Sequence, residues 1–219
     1  MISITLIDDS NFFRKSFITL LNVLKKYPVL YDFKSGTDFF EFFEINKIIP
    51  NIVFVDYKMP DQNGISITKQ IKKKYPSIKV IGLSIFQNDY VVSGLIAAGA
   101  NGYLSKNLEV QTIENAIEEV LEDRYIIEFM PGKIETYSNV EMARKLKKIN
   151  CYFEITDRQI EFLKYCASEF TYKEIGEKMN ISNKTVEKHR DLLFSKLNVN
   201  TRIELAIFAI QSGITDNFR

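Results

Sequence analysis

Asp8, Asp9, Asp56, Ser84 and Lys106 carry side chains whose types and spacing suit phosphoryl chemistry. Asp56 ends the run Asn51-Ile52-Val53-Phe54-Val55-Asp56, ahead of the loop-forming pairs Met59-Pro60 and Asn63-Gly64. Four consecutive apolar residues, mostly β-branched, read as a parallel strand buried on both faces, which leaves the carboxylate where the chain exits the core. The other four residues stand in the same way at the carboxyl ends of predicted strands, with Asp8 and Asp9 sharing one. Open α/β sheets collect their chemistry along that edge. Three carboxylates gathered there repel and raise one another's pKa unless a cation lies among them. A hard divalent ion such as Mg2+ fits, because it takes oxygen ligands and keeps waters for an incoming phosphate. Lys106 would supply a compact positive charge for one phosphoryl oxygen, and the Ser84 hydroxyl a hydrogen bond for another. Asp56 is then the expected nucleophile, forming an acyl phosphate.

The elements that must position these residues follow from periodicity. Residues 2–7 form an apolar run closed by Asp8-Asp9, and Ser10 opens a helical pattern with Phe13, Phe17, Leu20, Leu21 and Leu24 on one side. Val29 to Phe33 reads as a second strand, followed by a helix whose Phe39, Phe40, Phe42 and Phe43 are core material. A helix over residues 65–75, a fourth strand over 78–83, a helix over 90–100, a short fifth strand over 102–105 and a helix over 109–121 complete the series. Strands alternating with helices imply a five-stranded parallel sheet covered on both faces. Residues 123–150, broken by Pro131-Gly132, read as an interdomain linker with a short helix over 140–149. Its Arg144, Lys145, Lys147 and Lys148 are expected on a solvated face. Beyond residue 151 the pattern is helical only, with starts at Thr156, Thr171, Ser182 and Thr201.

Length and composition bound the answer. A chain of 219 residues is long for one core and suits two domains. Apolar content of 46% with 26% charged residues describes an ordinary globular protein. The apolar start meets two carboxylates almost at once, so neither a signal peptide nor an anchor is expected, and no apolar run reaches a membrane span of about 18 residues. Cys151 and Cys166 lie outside any C-x-x-C spacing, which suggests a reducing compartment and a cytoplasmic protein. A net charge of +1 does not by itself announce a nucleic-acid binder.

Asp8-Asp9, Asp56 with Met59-Pro60 and Gly64, Ser84, and Tyr103 three residues before Lys106 resemble the receiver domain of bacterial two-component response regulators over residues 1–122. The resemblance implies a flavodoxin-like fold and Asp56 as phosphoacceptor from a sensor histidine kinase. It implies Asp8, Asp9, Asp56 and the Lys58 backbone carbonyl as Mg2+ ligands, and Ser84 and Tyr103 as residues that move together on phosphorylation. Asn107 stands where many receivers carry proline. A small enzyme working through an aspartyl-phosphate would need a second acid beside Asp56, and Lys58 stands where that acid is commonly found, so a regulator rather than an enzyme is expected.

In the C-terminal part, Ser182 caps a helix on which Val186, Leu193 and Leu197 share one face while Lys184, Lys188, Asp191 and Ser195 centre on the opposite one, with Glu187 at its margin. The helix from Thr171 and the turn at Asn180 give helix-turn-helix spacing. Lys184, Lys188, Arg190 and Lys196 outnumber Glu187 and Asp191, which makes this helix the expected phosphate-facing surface. Glu174-Ile175-Gly176, the run from Ile181 through Thr185 to His189, and Arg202-Ile203-Glu204-Leu205 resemble the four-helix LuxR-type DNA-binding domain over residues 151–219, and the two parts together resemble the NarL/FixJ class. Two departures stand out: Gln159 replaces the usual Glu, and Glu187 follows Thr185-Val186 where many members are basic. His189, the single histidine, is expected to pack rather than to touch DNA.

The last helix is apolar all round, with Ile203, Ile207 and Ile210 on one side and Leu205, Phe208 and Ala209 on the other, so a second subunit is its expected partner. The sequence therefore reads as a phosphorylation-dependent regulator that binds double-stranded DNA as a homodimer. The alternative is a phospho-switched protein-interaction module with weak or no DNA binding.

Overall fold

The computed structural model describes residues 2–46, 48–60, 62–86, 89–107, 109–130, 132–149 and 155–215. Cys151 and residues 216–219 lie outside them. The chain forms two compact units, with the break inside the helix Asn139–Ile149, between Leu146 and Lys147.

In the first unit the expected alternation appears as β1 (Ile4–Ile7), α1 (Asn11–Leu24), β2 (Val29–Phe33), α2 (Gly36–Asn46), β3 (Ile52–Asp56), α3 (Gly64–Lys74), β4 (Lys79–Ser84), α4 (Asp89–Ala97), β5 (Gly102–Ser105) and α5 (Val110–Leu121). These five strands are parallel and stand in the order β2-β1-β3-β4-β5. Strand residues alternate between the sheet's faces. Ile4, Leu6, Ile52, Phe54, Ile81, Leu83 and Leu104 meet Phe17 and Leu21 of α1 and Ile113, Ile117 and Val120 of α5 in one buried cluster. On the opposite face, Gly82 of β4 leaves room for Leu95 of α4, whose Cδ1 lies 2.5 Å from where a Cβ would stand. Chain connections diverge on either side of β1, so the carboxyl ends of β1 and β3 border the crevice where such sheets place their chemistry.

The sheet does not stop at β5. Residues 125–137, expected as irregular connector, form β6 (Tyr125–Met130) and β7 (Lys133–Tyr137), and the sheet has seven strands in the order β2-β1-β3-β4-β5-β6-β7. β6 lies parallel to β5, with Gly102 opposite Ile126 and Tyr103 opposite Ile127, and β7 returns antiparallel to β6. The physical reason is burial: Ile126 and Ile127 point to opposite faces and both are buried, as a strand interior to a sheet requires. β6 and β7 thus form a hairpin in place of the expected domain-separating break, and Gly132 takes a φ of +75° that favours glycine, while Pro131 lies outside the described residues.

The helix α6 (Asn139–Ile149) begins on this unit, with Met142 buried. Its Lys145 does not extend into solvent as expected but lies 4.5 Å over the Tyr137 ring and 3.6 Å from the Glu135 carboxylate. Arg144 is exposed. The Lys147 and Lys148 side chains lie outside what is described.

The second unit holds α7 (Asp157–Cys166), α8 (Tyr172–Met179), α9 (Asn183–Leu197) and α10 (Arg202–Gln211). All four begin at the expected caps. The side chains of Thr156, Thr171, Ser182 and Thr201 each accept from the backbone N–H three residues on. Phe162, Leu163, Ile175, Met179, Val186, Leu193, Leu205 and Ala209 make its core. Among the described residues no helix is long and apolar enough to cross a membrane.

Candidate phosphorylation site and nucleic-acid interface

Asp8 follows β1, Asp56 ends β3, Ser84 ends β4 and Lys106 follows β5, so four neighbouring strands deliver their polar residues to one edge. Asp8 and Asp56 are buried and Asp9 is exposed at the rim. Oxygen atoms of the three carboxylates lie within 4.8 Å of one another. Lys106 Nζ reaches both buried members, 2.7 Å from Asp8 Oδ2 and 2.9 Å from Asp56 Oδ2. Beyond this ion pair the buried Asp8 Oδ2 has no further partner among the described residues, and a carboxylate oxygen can accept more than one. Three oxygen-donor side chains gathered in this way, Asp8, Asp9 and Asp56, fit a hard divalent cation such as Mg2+.

The electrostatics agree with that arrangement. Burial pushes the Asp56 carboxyl up to about 7; Lys106 opposes the shift, and neighbouring Asp8 adds to it. For Lys106 burial lowers the pKa, but the Asp56 and Asp8 carboxylates outweigh it and hold the ammonium above its usual range.

Local structure fixes each side chain. Asp8 Oδ1 accepts from the Ser10 N–H at 2.8 Å, and Ser10 in turn caps α1 through the Phe13 N–H. The Lys58 N–H points back at Asp56 Oδ1, 3.4 Å away. Gly64 is required where the loop folds over the strand end. Its N–H donates to the Tyr57 carbonyl at 2.8 Å, and a Cβ there would stand 2.3 Å from the Asp56 carbonyl oxygen. Asn63 caps α3 just before it.

Ser84 and Tyr103 hold the backbone of one residue, Phe86, between them. The Phe86 N–H donates to Ser84 Oγ at 2.9 Å, and the Tyr103 hydroxyl donates to the Phe86 carbonyl at 2.5 Å. Tyr103 is fully buried, and burial raises its hydroxyl pKa well above the usual value. No peptide bond among the described residues is cis, that between Lys106 and Asn107 included.

Two contacts escaped sequence reasoning. Arg14 of α1 donates through Nη1 to the carbonyls of Asp8 at 2.6 Å and Asp9 at 3.2 Å, and through Nε to Asp32 at 2.8 Å, bracing the acidic turn. Phe13, placed by periodicity in the core, also faces Lys106, whose Nζ lies 4.7 Å from its ring centre. A basic residue one turn into the helix that follows the Asp-Asp pair was the available signal for Arg14.

In the helical unit, α8 and α9 are joined by a turn in which Asn180 adopts a left-handed conformation and the Ile181 N–H donates to the Gly176 carbonyl at 2.9 Å. A Cβ on Gly176 would lie 3.1 Å from the Ile181 carbonyl oxygen and 3.2 Å from Val186, which is how closely the two helices approach. Lys184, Glu187, Lys188, Asp191 and Ser195 are exposed together on α9, opposite buried Val186, Leu193 and Leu197. Thr185 is half-buried and bonds Ser182 at the cap.

Arg190 and Lys196 turn toward their own unit rather than outward. Arg190 is paired with Asp191 at 2.9 Å and lies 5.7 Å from the Tyr172 ring, and Lys196 donates to Gln159 Oε1 at 3.2 Å. His189 packs with Phe162, ring centres 6.1 Å apart, and burial lowers its pKa. On α10, Leu205 and Ala209 are buried while Ile203 and Ile207 are exposed.

Comparison with known proteins agrees with both halves. Residues 4–118 match the model for the response regulator receiver domain, and residues 154–209 match that for bacterial regulatory proteins of the luxR family. The chain is 29% identical to the transcriptional regulatory protein LnrK of Bacillus subtilis (strain 168), covering 98% of this chain and 99% of that one. It is 28% identical to the response regulator UvrY of Escherichia coli (strain K12), covering 98% and 96%. A solved structure of the two-component response regulator RcsB in complex with DNA matches 96% of this chain and 98% of its own at 21% identity, with a TM-score of 0.61, which shows the shared fold. A receiver-type sheet with its acidic edge, followed by a luxR-type helical unit, and matched by both family models, means that this chain belongs to the two-component response regulators with a LuxR-type helix-turn-helix domain.

Proposed function

We propose that Asp56 is the phosphoacceptor and that its phosphorylation, by a sensor histidine kinase, governs binding of the helical unit to double-stranded DNA. The observation that carries the reading is the Lys106 ammonium seated between Asp8 and Asp56, 2.7 and 2.9 Å away, with Asp9 closing the group. An Asp56 oxygen attacks the phosphorus of the donor, the new O–P bond forms as the bond to the donor breaks, and the donor leaves with its electron pair. Lys106, released from part of its carboxylate pairing, meets an oxygen of the transferred group. Ser84 gives up the Phe86 N–H to offer its hydroxyl, and Tyr103, tied to the carbonyl of the same residue, moves with it. Asp8, Asp9, Asp56 and the Lys58 carbonyl would hold Mg2+, which when bound supplies positive charge for the phosphoryl oxygens.

On the helical unit, Lys184 and Lys188 on α9 would meet phosphates, with Thr185 and Glu187 beside them at the groove. Exposed Ile203 and Ile207 on α10 suit the same helix of a second copy, giving a homodimer with two reading helices. The second reading, a phospho-switched protein-interaction module, draws on the carboxylates of Glu187 and Asp191 on the exposed face and on the inward pairing of Arg190.

Two measurements test the proposal. Acetyl phosphate with Mg2+ should label the wild-type chain once and leave Asp56→Asn unlabelled; labelling that persists in the variant sinks the assignment. The labelled chain should bind fragments of its own genome with an affinity that falls steeply as salt rises. Absent or salt-insensitive binding selects the interaction module.

A further inference from the structure

β6 carries a buried charge that the phosphorylation site does not need for its own chemistry. Glu128 is 4% exposed. Its Oε2 accepts from the Ser105 N–H at 2.8 Å and its Oε1 from the Gly132 N–H at 2.9 Å. The paired register of β5 with β6 ends at Tyr103 and Ile127. Beyond that point the Glu128 side chain replaces the ladder and holds the last residue of β5. The next residue is Lys106, whose own N–H donates to the Ser84 carbonyl at 3.0 Å on the other side. The two successive peptides that lead to the lysine are therefore held from opposite sides, Leu104–Ser105 by the carboxylate of the added hairpin and Ser105–Lys106 by the backbone of β4.

A buried carboxylate is costly unless both oxygens are satisfied. Glutamine would present an NH2 group to one of the two N–H donors, so only a carboxylate can accept from two separate segments at once. That need explains why a charge stands at a position where β6 is otherwise apolar.

We propose that Glu128 is a positioning residue for phosphorylation of Asp56, acting by fixing the backbone at Ser105, next to Lys106, and so the reach of the Lys106 ammonium to the reacting oxygens. This rests on Asp56 as phosphoacceptor. The clamp makes the β6–β7 hairpin part of the phosphorylation site, and because Lys145 of α6 lies against Tyr137 and Glu135 of β7, the helix leaving this unit is anchored to the same hairpin.

The test compares initial rates of labelling by acetyl phosphate with Mg2+ in the full chain, well below each variant's Tm. Glu128→Ala should slow labelling about tenfold or more and Glu128→Gln less, because misplacing a reacting group by about 1 Å costs up to about a hundredfold. Leu21→Ala, which loosens the same core from α1 and lies outside the clamp, should label at the wild-type rate. In a Lys106→Ala background, Glu128→Ala should add no further loss, since the two residues act through one group.

A wild-type chain that is not labelled, or an Asp56→Asn chain that is, overturns the phosphoacceptor reading itself. Normal labelling of the wild type with unchanged rates in both Glu128 variants overturns the positioning role alone. Equal slowing by Leu21→Ala, or a Glu128→Ala loss that persists in full without Lys106, also overturns it.

Discussion

At the scale of single residues, Asp56 sits in a compromise between chemistry and stability. Burial next to Asp8 holds its carboxyl near 7, well above its ordinary value of 3.8, although Lys106 stands 2.9 Å away. The native chain therefore binds the Asp56 proton more tightly than the unfolded chain does. As pH rises from about 4 to 7 the unfolded state ionises first and the folded state loses ground, and above 7 the penalty is complete. Asp56→Asn should accordingly stabilise the chelator-treated protein above pH 7, by roughly 1–3 kcal/mol, and much less at pH 5. Urea melts at pH 5 and pH 8 check this; a difference independent of pH would mean that burial of the charge is not the cause. Added Mg2+ should shrink the gap. The carboxylates, Ser84 and Lys106 were legible because strand ends and polar residue types coincide in the chain. Arg14, Phe13 and Glu128 were not, because each works through partners 4 to 93 residues distant in sequence, and pattern carries no record of such partners.

At the scale of elements, every helix start in the second unit was readable because a cap is a local bargain between one side chain and the next turn. Packing between helices is not local, and Gln159 illustrates the difference. It completes the α7 capping box, with its Oε1 accepting from the Thr156 N–H at 3.1 Å, and the same oxygen accepts from Lys196 of α9 at 3.2 Å. A carboxylate in that place would make the cap bond charge-assisted, and would turn the bond from the Lys196 ammonium, charge-assisted already, into an ion pair. Gln159→Glu should therefore raise the stability of the helical unit by about 1 kcal/mol at neutral pH, through a Lys196 pair that Lys196→Met would abolish. Thermal melts of the two single variants and the double variant measure the coupling, and additive effects would refute it. The β6–β7 hairpin was within reach of the sequence as well. Tyr125 to Met130 and the alternating Lys133-Ile134-Glu135-Thr136-Tyr137 flank a Pro-Gly turn, the pattern of two strands. Completion of the five-strand alternation at α5 masked it.

At the scale of the whole molecule, two units and their fold classes follow from the change of period near residue 150, but the end of the first unit does not follow from the end of the five-strand pattern. Ile126, Ile127 and Met142 are buried 1%, 1% and 2% exposed, and Glu128 satisfies the Ser105 amide. A fragment ending at residue 122 would uncover the β5 edge, leave that amide without its acceptor and expose apolar surface of the core. Fully buried side chains of this size contribute about 1.5–3 kcal/mol each, so the loss should amount to several kcal/mol. For a unit of this length each kcal/mol moves Tm by roughly 3–4 °C. Fragment 1–146 should therefore melt cooperatively at least about 10 °C above fragment 1–122. The shorter piece should also associate through its bare strand edge. Calorimetry and light scattering on the two fragments decide the matter: equal Tm values with a monomeric short fragment would show that the hairpin is an appendage. A higher Tm confined to the longer fragment makes residues 123–146 part of the folded unit, so that a change at the carboxyl end of β5 is felt in the same cooperative structure from which the chain continues to the DNA-binding helices.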